Sequence, residues 1–241
     1  MLRNGLVAEY LFDGNAEDSS GHEHHGRVEG ATPTTNRFDE PNRALAFSGK
    51  GDFVVLEYPT LLNPEAFSIS IWARYDESAV MNWWNNAIIS QDDNGRRPDH
   101  EGRVFQLSTM GYNVRIHLMK QAPDVTANHP VQRGVWYHLG VVYDGAYYTF
   151  YLNGEAQARQ EHTFRPHAEE PIFVGKKNSA EPRFYFHGAL DDLRIYNRAL
   201  AEEELTALYT EHGYIGSPFA ASPAPAKKRS STHSKVLKKP I

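Results

Sequence analysis

Cysteine is absent from all 241 residues, which excludes a disulfide framework, a thiolate metal site and redox chemistry at sulfur. Stability must then come from packing, and a chain that is 40% hydrophobic and 12% aromatic can bury a full core. Long apolar runs are also missing. None approaches the roughly 18 residues of a transmembrane segment, and no basic stretch followed by an apolar one opens the chain as a signal peptide would. Periodic helical segments are scarce. Gly-x-Ser-x-Gly, His-Glu-x-x-His, phosphate-loop and dinucleotide patterns do not occur, so the common motifs of nucleophilic, zinc and nucleotide chemistry are lacking.

What the chain does contain is short alternating runs punctuated by Gly, Asn, Asp and Pro from Gly5 to Asn197, the pattern of an all-β antiparallel sandwich or jelly roll. In Phe67 to Arg74, residues Phe67, Ile69, Ile71 and Ala73 share one face and Ser68, Ser70, Trp72 and Arg74 the other. Asn113 to Met119 repeats the period, with Val114, Ile116 and Leu118 on one side. Asp144-Gly145 and Asn153-Gly154 flank aromatic and β-branched runs and favour the positive φ of tight hairpins, so those strands are antiparallel neighbours. One short C-terminal helix is expected from Ala201 to Glu211, where Leu205, Leu208 and Tyr209 are three and four apart and glutamates fill the first turn.

Charge divides the chain. The segment from Gly216 onward holds six Lys and Arg and no acid, which leaves the remainder at −11 against −5 for the whole. Residues 216–241, rich in Pro, Ala, Ser and Lys, read as a flexible basic tail that could meet an acidic partner. Acidity of the body disfavours nucleic acid, and the tail lacks interleaved aromatics for base stacking.

Six stretches in order resemble the laminin-G-like, concanavalin A-like jelly-roll family: Gly5 to Gly21 with His25-Gly26, Phe47 to Val54, Phe67 to Ala73, Trp136 to Tyr143, Tyr151 to Gly154, and Gly188 to Leu200. The resemblance spans residues 5–213 and implies one sandwich domain over 1–215. Met81 to Arg103 departs from it by being longer and more polar, and Ala201 stands where Ser or Thr often caps the helix. A non-catalytic recognition module for carbohydrate or protein is the leading expectation, in an extracellular or cell-envelope setting, with a cytoplasmic one left open by the lack of a signal peptide. A scaffold component that uses the sandwich and tail for protein contacts is the alternative. A divergent glycoside hydrolase ranks below both, because the Glu-x-Asp-x-x-Glu strand of related glucanases is absent.

Asp13, Asn15 and Asp18 offer hard oxygens within one turn, as calcium requires, and the resemblance implies that Asp191 or Asp192 of the last strand approaches that loop. Because neighbours on a strand alternate faces, only one can point to the ion, and Asp191 is the choice. The competing account is that Asp13, Asn15 and Asp18 merely close Asx-type turns. His22, His24 and His25 form a second possible metal cluster, with surface substitution as the plainer explanation. Trp83, Trp84, Asn85, Asp92 and Asp93 combine aromatic faces with planar polar groups suited to sugars, against the alternative that the tryptophans simply pack.

Overall fold

The computed structural model describes residues 2–82, 86–92, 103–118, 123–164, 169–178 and 184–214, with backbone alone at 103 and 104. Two antiparallel sheets face each other. The first runs β13 (Glu155–Glu161), β12 (Tyr147–Leu152), β11 (Trp136–Tyr143), β6 (Phe67–Tyr75), β15 (His187–Tyr196), β4 (Ala44–Ser48), β3 (Thr32–Thr34), with β1 (Leu6–Tyr10) also paired to β15. The second runs β10 (Val125–Thr126), β9 (Asn113–His117), β8 (Arg103–Met110), β7 (Ile89–Asp92), β14 (Ile172–Val174), β5 (Phe53–Leu56), β2 (Arg27–Glu29).

The core lies between the sheets and is built from the alternation: Phe67, Ile69, Ile71 and Ala73 meet Val114, Ile116 and Leu118, all fully buried. The hairpins form at the expected turns, with Asn153 at φ 52° and Gly154 at φ 80°. The segment from Met81 to Arg103, expected as a polar insertion, contributes β7, whose Ile89 pairs with Leu107 of β8 and Val174 of β14.

Helix α1 (Glu202–Tyr209) covers the outer face of the first sheet, which explains why Ser68, Ser70 and Trp72 are buried although they lie opposite the core. Ala201 cannot cap with its side chain. Its N–H instead donates to the Glu204 carboxylate at 3.1 Å, and that carboxylate is gripped by both Nη atoms of Arg198 at 2.7 Å. Leu205 and Leu208 point down from the helix, which stops short of Glu211; His212, at φ 61°, breaks the turn that follows. The residues 216–241 lie outside the described ones.

Candidate functional site

β15 changes partner halfway along its length. Its first half, His187 to Leu190, pairs with β4, and its second half, Leu193 to Tyr196, pairs with β1. Between them the register against β6 slips by one residue from Asp191 to Arg194, and Asp192 adopts φ 44°. This is a β-bulge, which adds a residue and re-aims its side chain. The expectation that Asp191 and Asp192 face opposite sides is therefore corrected: Arg37 donates from Nη1 to Asp191 Oδ2 at 2.6 Å and from Nη2 to Asp192 Oδ2 at 2.5 Å.

Around this ion cluster opens a cleft of about 430 Å³, lined by Asp13, Asn36, Phe38, Glu40, Arg43 and His212 together with the Arg37 group. That volume falls within the usual range of ligand pockets. Asn36 shapes one wall: its Oδ1 accepts from the N–H of Phe38 and Glu40, while its Nδ2 donates to Glu40 Oε2 at 2.9 Å. Arg43 pairs with Asp13 at the exposed lip. Deeper in, Arg37 lies 4.6 Å from the ring centre of Phe38 and 4.7 Å from that of Trp72. Burial and the adjacent Asp192 charge raise the Asp191 carboxyl to about 8, against the pull of Arg37.

The first loop reaches this cleft through Leu11 and Asp13. Asn15 Oδ1 accepts from the N–H of Glu17 at 3.0 Å, an Asx turn. The Asp18 carboxylate turns into its own loop and accepts from the N–H of Glu9, Ser20 and His24 and from the Ser20 hydroxyl, at 2.8–3.0 Å. Burial alone would push its pKa up, but these donors hold it below the ordinary carboxylate range. Calcium needs six to eight converging oxygens. Asp13 and Asp191 share a cleft, whereas Asn15 and Asp18 are committed elsewhere. The expected four-residue donor set does not assemble.

The loop histidines serve the backbone. His22 donates from Nε2 to the Leu6 carbonyl at 3.2 Å, His24 from Nδ1 to the Val7 carbonyl at 2.8 Å, and His25 Nδ1 accepts from the Asp18 N–H at 3.1 Å. Among the described residues no three His, Asp or Glu side chains are arranged around a common metal position.

Of the expected sugar-binding residues, Trp83, Trp84, Asn85 and Asp93 lie outside the described ones. Asp92 is buried at the end of β7, 3.7 Å from Lys177, because β7 continues into the sheet where an exposed loop was expected. It borders the outer face of the second sheet. There His117, Gln106 and Ser90 form one cross-strand row and Arg115 and Ser108 the next. Asp124 accepts from Arg115 at 2.5 Å and bonds His117 Nδ1 at 2.7 Å. Gln106 Nε2 and Ser108 Oγ are buried with no hydrogen bond among the described residues.

Sequence reasoning missed Arg37, Glu40, Arg43 and His212. The run Asn36-Arg37-Phe38-Asp39-Glu40, rich in hydrogen-bonding groups, was the available signal, and its pairing with Asp191 and Asp192 is a product of the tertiary structure.

Human pappalysin-1 is 22% identical over 201 residues, which cover 76% of this chain and 12% of that protein; mouse pappalysin-1 is 26% identical over 131 residues, covering 47% and 8%. The chain thus spans a small fraction of these relatives. Among solved structures, domain 4 of AbnA, a GH43 extracellular arabinanase from Geobacillus stearothermophilus in complex with arabinotriose, superposes with TM-score 0.58 at 21% identity. That match covers 85% of this chain and 98% of the domain. The botulinum neurotoxin serotype D binding domain superposes with TM-score 0.67 at 15% identity, over 87% of this chain and 52% of the other. These likenesses show a shared fold. Residues 48–206 match the sequence model of the concanavalin A-like lectin/glucanases superfamily in its laminin-G form, and the chain belongs to that family.

Proposed function

We propose that this domain is a non-catalytic recognition module that holds a carbohydrate in the cleft between Asp13, Glu40, Arg43 and the Arg37–Asp191–Asp192 cluster. One observation carries the reading: the open polar cleft of about 430 Å³, in which fixed carboxylate acceptors alternate with guanidinium donors beside the Phe38 ring. Sugar hydroxyls both donate and accept, and such alternation serves them. The arginines also speak against catalysis. Asp13 is engaged by Arg43 and both Asp191 and Asp192 by Arg37, so these three acids of the cleft are tied up as ion pairs rather than poised for attack and proton transfer on a glycosidic bond. The fold's occurrence in an arabinanase domain bound to arabinotriose and in a neurotoxin binding domain supports recognition as the shared use. An extracellular or envelope setting fits the same comparison, since that arabinanase is extracellular.

The test is a glycan array followed by calorimetric titration of the best ligand with Arg43→Ala and Glu40→Ala. Each substitution is expected to weaken binding about tenfold, the loss of one charge-assisted hydrogen bond. Unchanged affinity in both variants rejects the cleft, and a silent array shifts the reading to a protein ligand.

A further inference from the structure

We propose that Arg37 occupies the place of a metal ion: its guanidinium is the built-in cation of the cleft, and the domain keeps its structure without calcium. This holds whatever the cleft binds.

The bulge at Asp192 brings two carboxyl groups to one point beneath the sheet surface, and even with a proton on Asp191 the remaining buried charge requires a counter-charge. Arg37 supplies it with a side chain only 2% exposed, giving one N–H edge to each acid. The rings of Phe38 and Trp72 both pack against the guanidinium, with centres 4.6 and 4.7 Å from its central carbon. Asn36 fixes the turn that delivers it, through the N–H groups of Phe38 and Glu40. A calcium ion entering here would have to displace a buried guanidinium already paired with both acids. The remaining candidate donors are likewise engaged: Asp13 by Arg43, Asn15 by its turn, and Asp18 by four donors.

The converse is equally specific. Without Arg37, Asp191 and Asp192 are left as two adjacent buried acids whose hard oxygens are of the type that divalent ions take, in a cleft that Asp13 and Glu40 also line. Loss of the arginine should therefore create a calcium response that the natural protein lacks.

Thermal unfolding of the whole chain in chelator and in millimolar calcium chloride reads both statements. For the natural sequence the two midpoints should agree to within about 1 °C, since an ion that does not bind the native state adds no stability. Arg37→Gln should unfold several degrees lower in chelator and recover part of that loss in calcium. A calcium-dependent rise of several degrees in the natural protein overturns metal independence. An Arg37→Gln protein that is destabilised yet blind to calcium, or unfolded in both media, overturns the exchange of guanidinium for ion. If Arg37→Gln folds only when calcium is present, the yield of folded protein becomes the supporting readout.

Discussion

Leu205 of α1 rests directly on Gly140 of β11: a Cβ built at residue 140 would lie 2.6 Å from Leu205 Cδ1 and 3.1 Å from Tyr151 Cβ. The missing side chain is what lets the helix lie flat on the first sheet and bury Trp72 and His138 beneath it. Gly140→Ala should cost about 1–3 kcal/mol through overpacking. Leu205→Ala alone should cost about 2–5 kcal/mol. In the double variant the two losses should sum to clearly more than the measured total, because the alanine then fills space the leucine has left. Denaturant unfolding of the four proteins gives the coupling, and strict additivity contradicts the contact.

Two buried groups set opposing pH dependences. Asp191 is raised to about 8, so the folded state keeps a proton that the unfolded chain releases near 4. Its stabilising contribution is full below that unfolded value and is lost as pH rises through 8. His138 is lowered to about 3 by burial, with Arg37 and Arg194 adding to it, and its contribution is present above 6.5 and lost as pH falls. The two slopes cancel in part between roughly pH 4 and 6.5 and separate above it. The unfolding midpoint should fall between pH 6.5 and 8, and Asp191→Asn should flatten that fall. An identical slope in the variant would show that Asp191 does not carry it.

Asp18 is a structural carboxylate that ties the loop after β1 to the strand itself. Asp18→Ala leaves the N–H groups of Glu9 and His24 without their acceptor and should cost about 3 kcal/mol or more. The loss should be the same in calcium and in chelator. A destabilisation seen only when calcium is present would restore the ion to this loop.

Ser108 and Gln106 carry buried polar atoms that are unbonded among the described residues. Ser108→Ala removes a hydroxyl with no partner and should raise stability by about 1 kcal/mol. Chemical denaturation measures this. A loss of 1 kcal/mol or more would mean that the hydroxyl is bonded in solution.

Local rules made much of the architecture readable. Phe67 to Ala73 and Val114 to Leu118 announced their inward faces by period two, and Asn153-Gly154 announced its hairpin by the positive φ it demands. The helix was legible from Leu205 and Leu208, to within two residues at its end. β7 escaped notice because Ile89 is the one apolar residue of Ile89-Ser-Gln-Asp92, too few to show a period.

The candidate site was half legible. Asp13 and Asp191 were singled out and both line the cleft, each bonded to an arginine that spacing did not foretell. Arg37 and Asp191 are 154 positions apart, and only the closure of β15 against β4 and β1 joins them. The alternation rule failed at Asp192 for a related reason. A bulge is imposed where one strand must serve two different neighbours, and nothing local to Asp191-Asp192 signals it.

By itself, then, the sequence determined the alternation, the turns and the family, because these depend on contacts within a few residues. Tertiary structure alone decided which charge answers which. Arg37 is drawn to the Asp191–Asp192 pair by an interior strand whose neighbours come from distant parts of the chain, and the energy of buried charges depends on that proximity rather than on order in the chain.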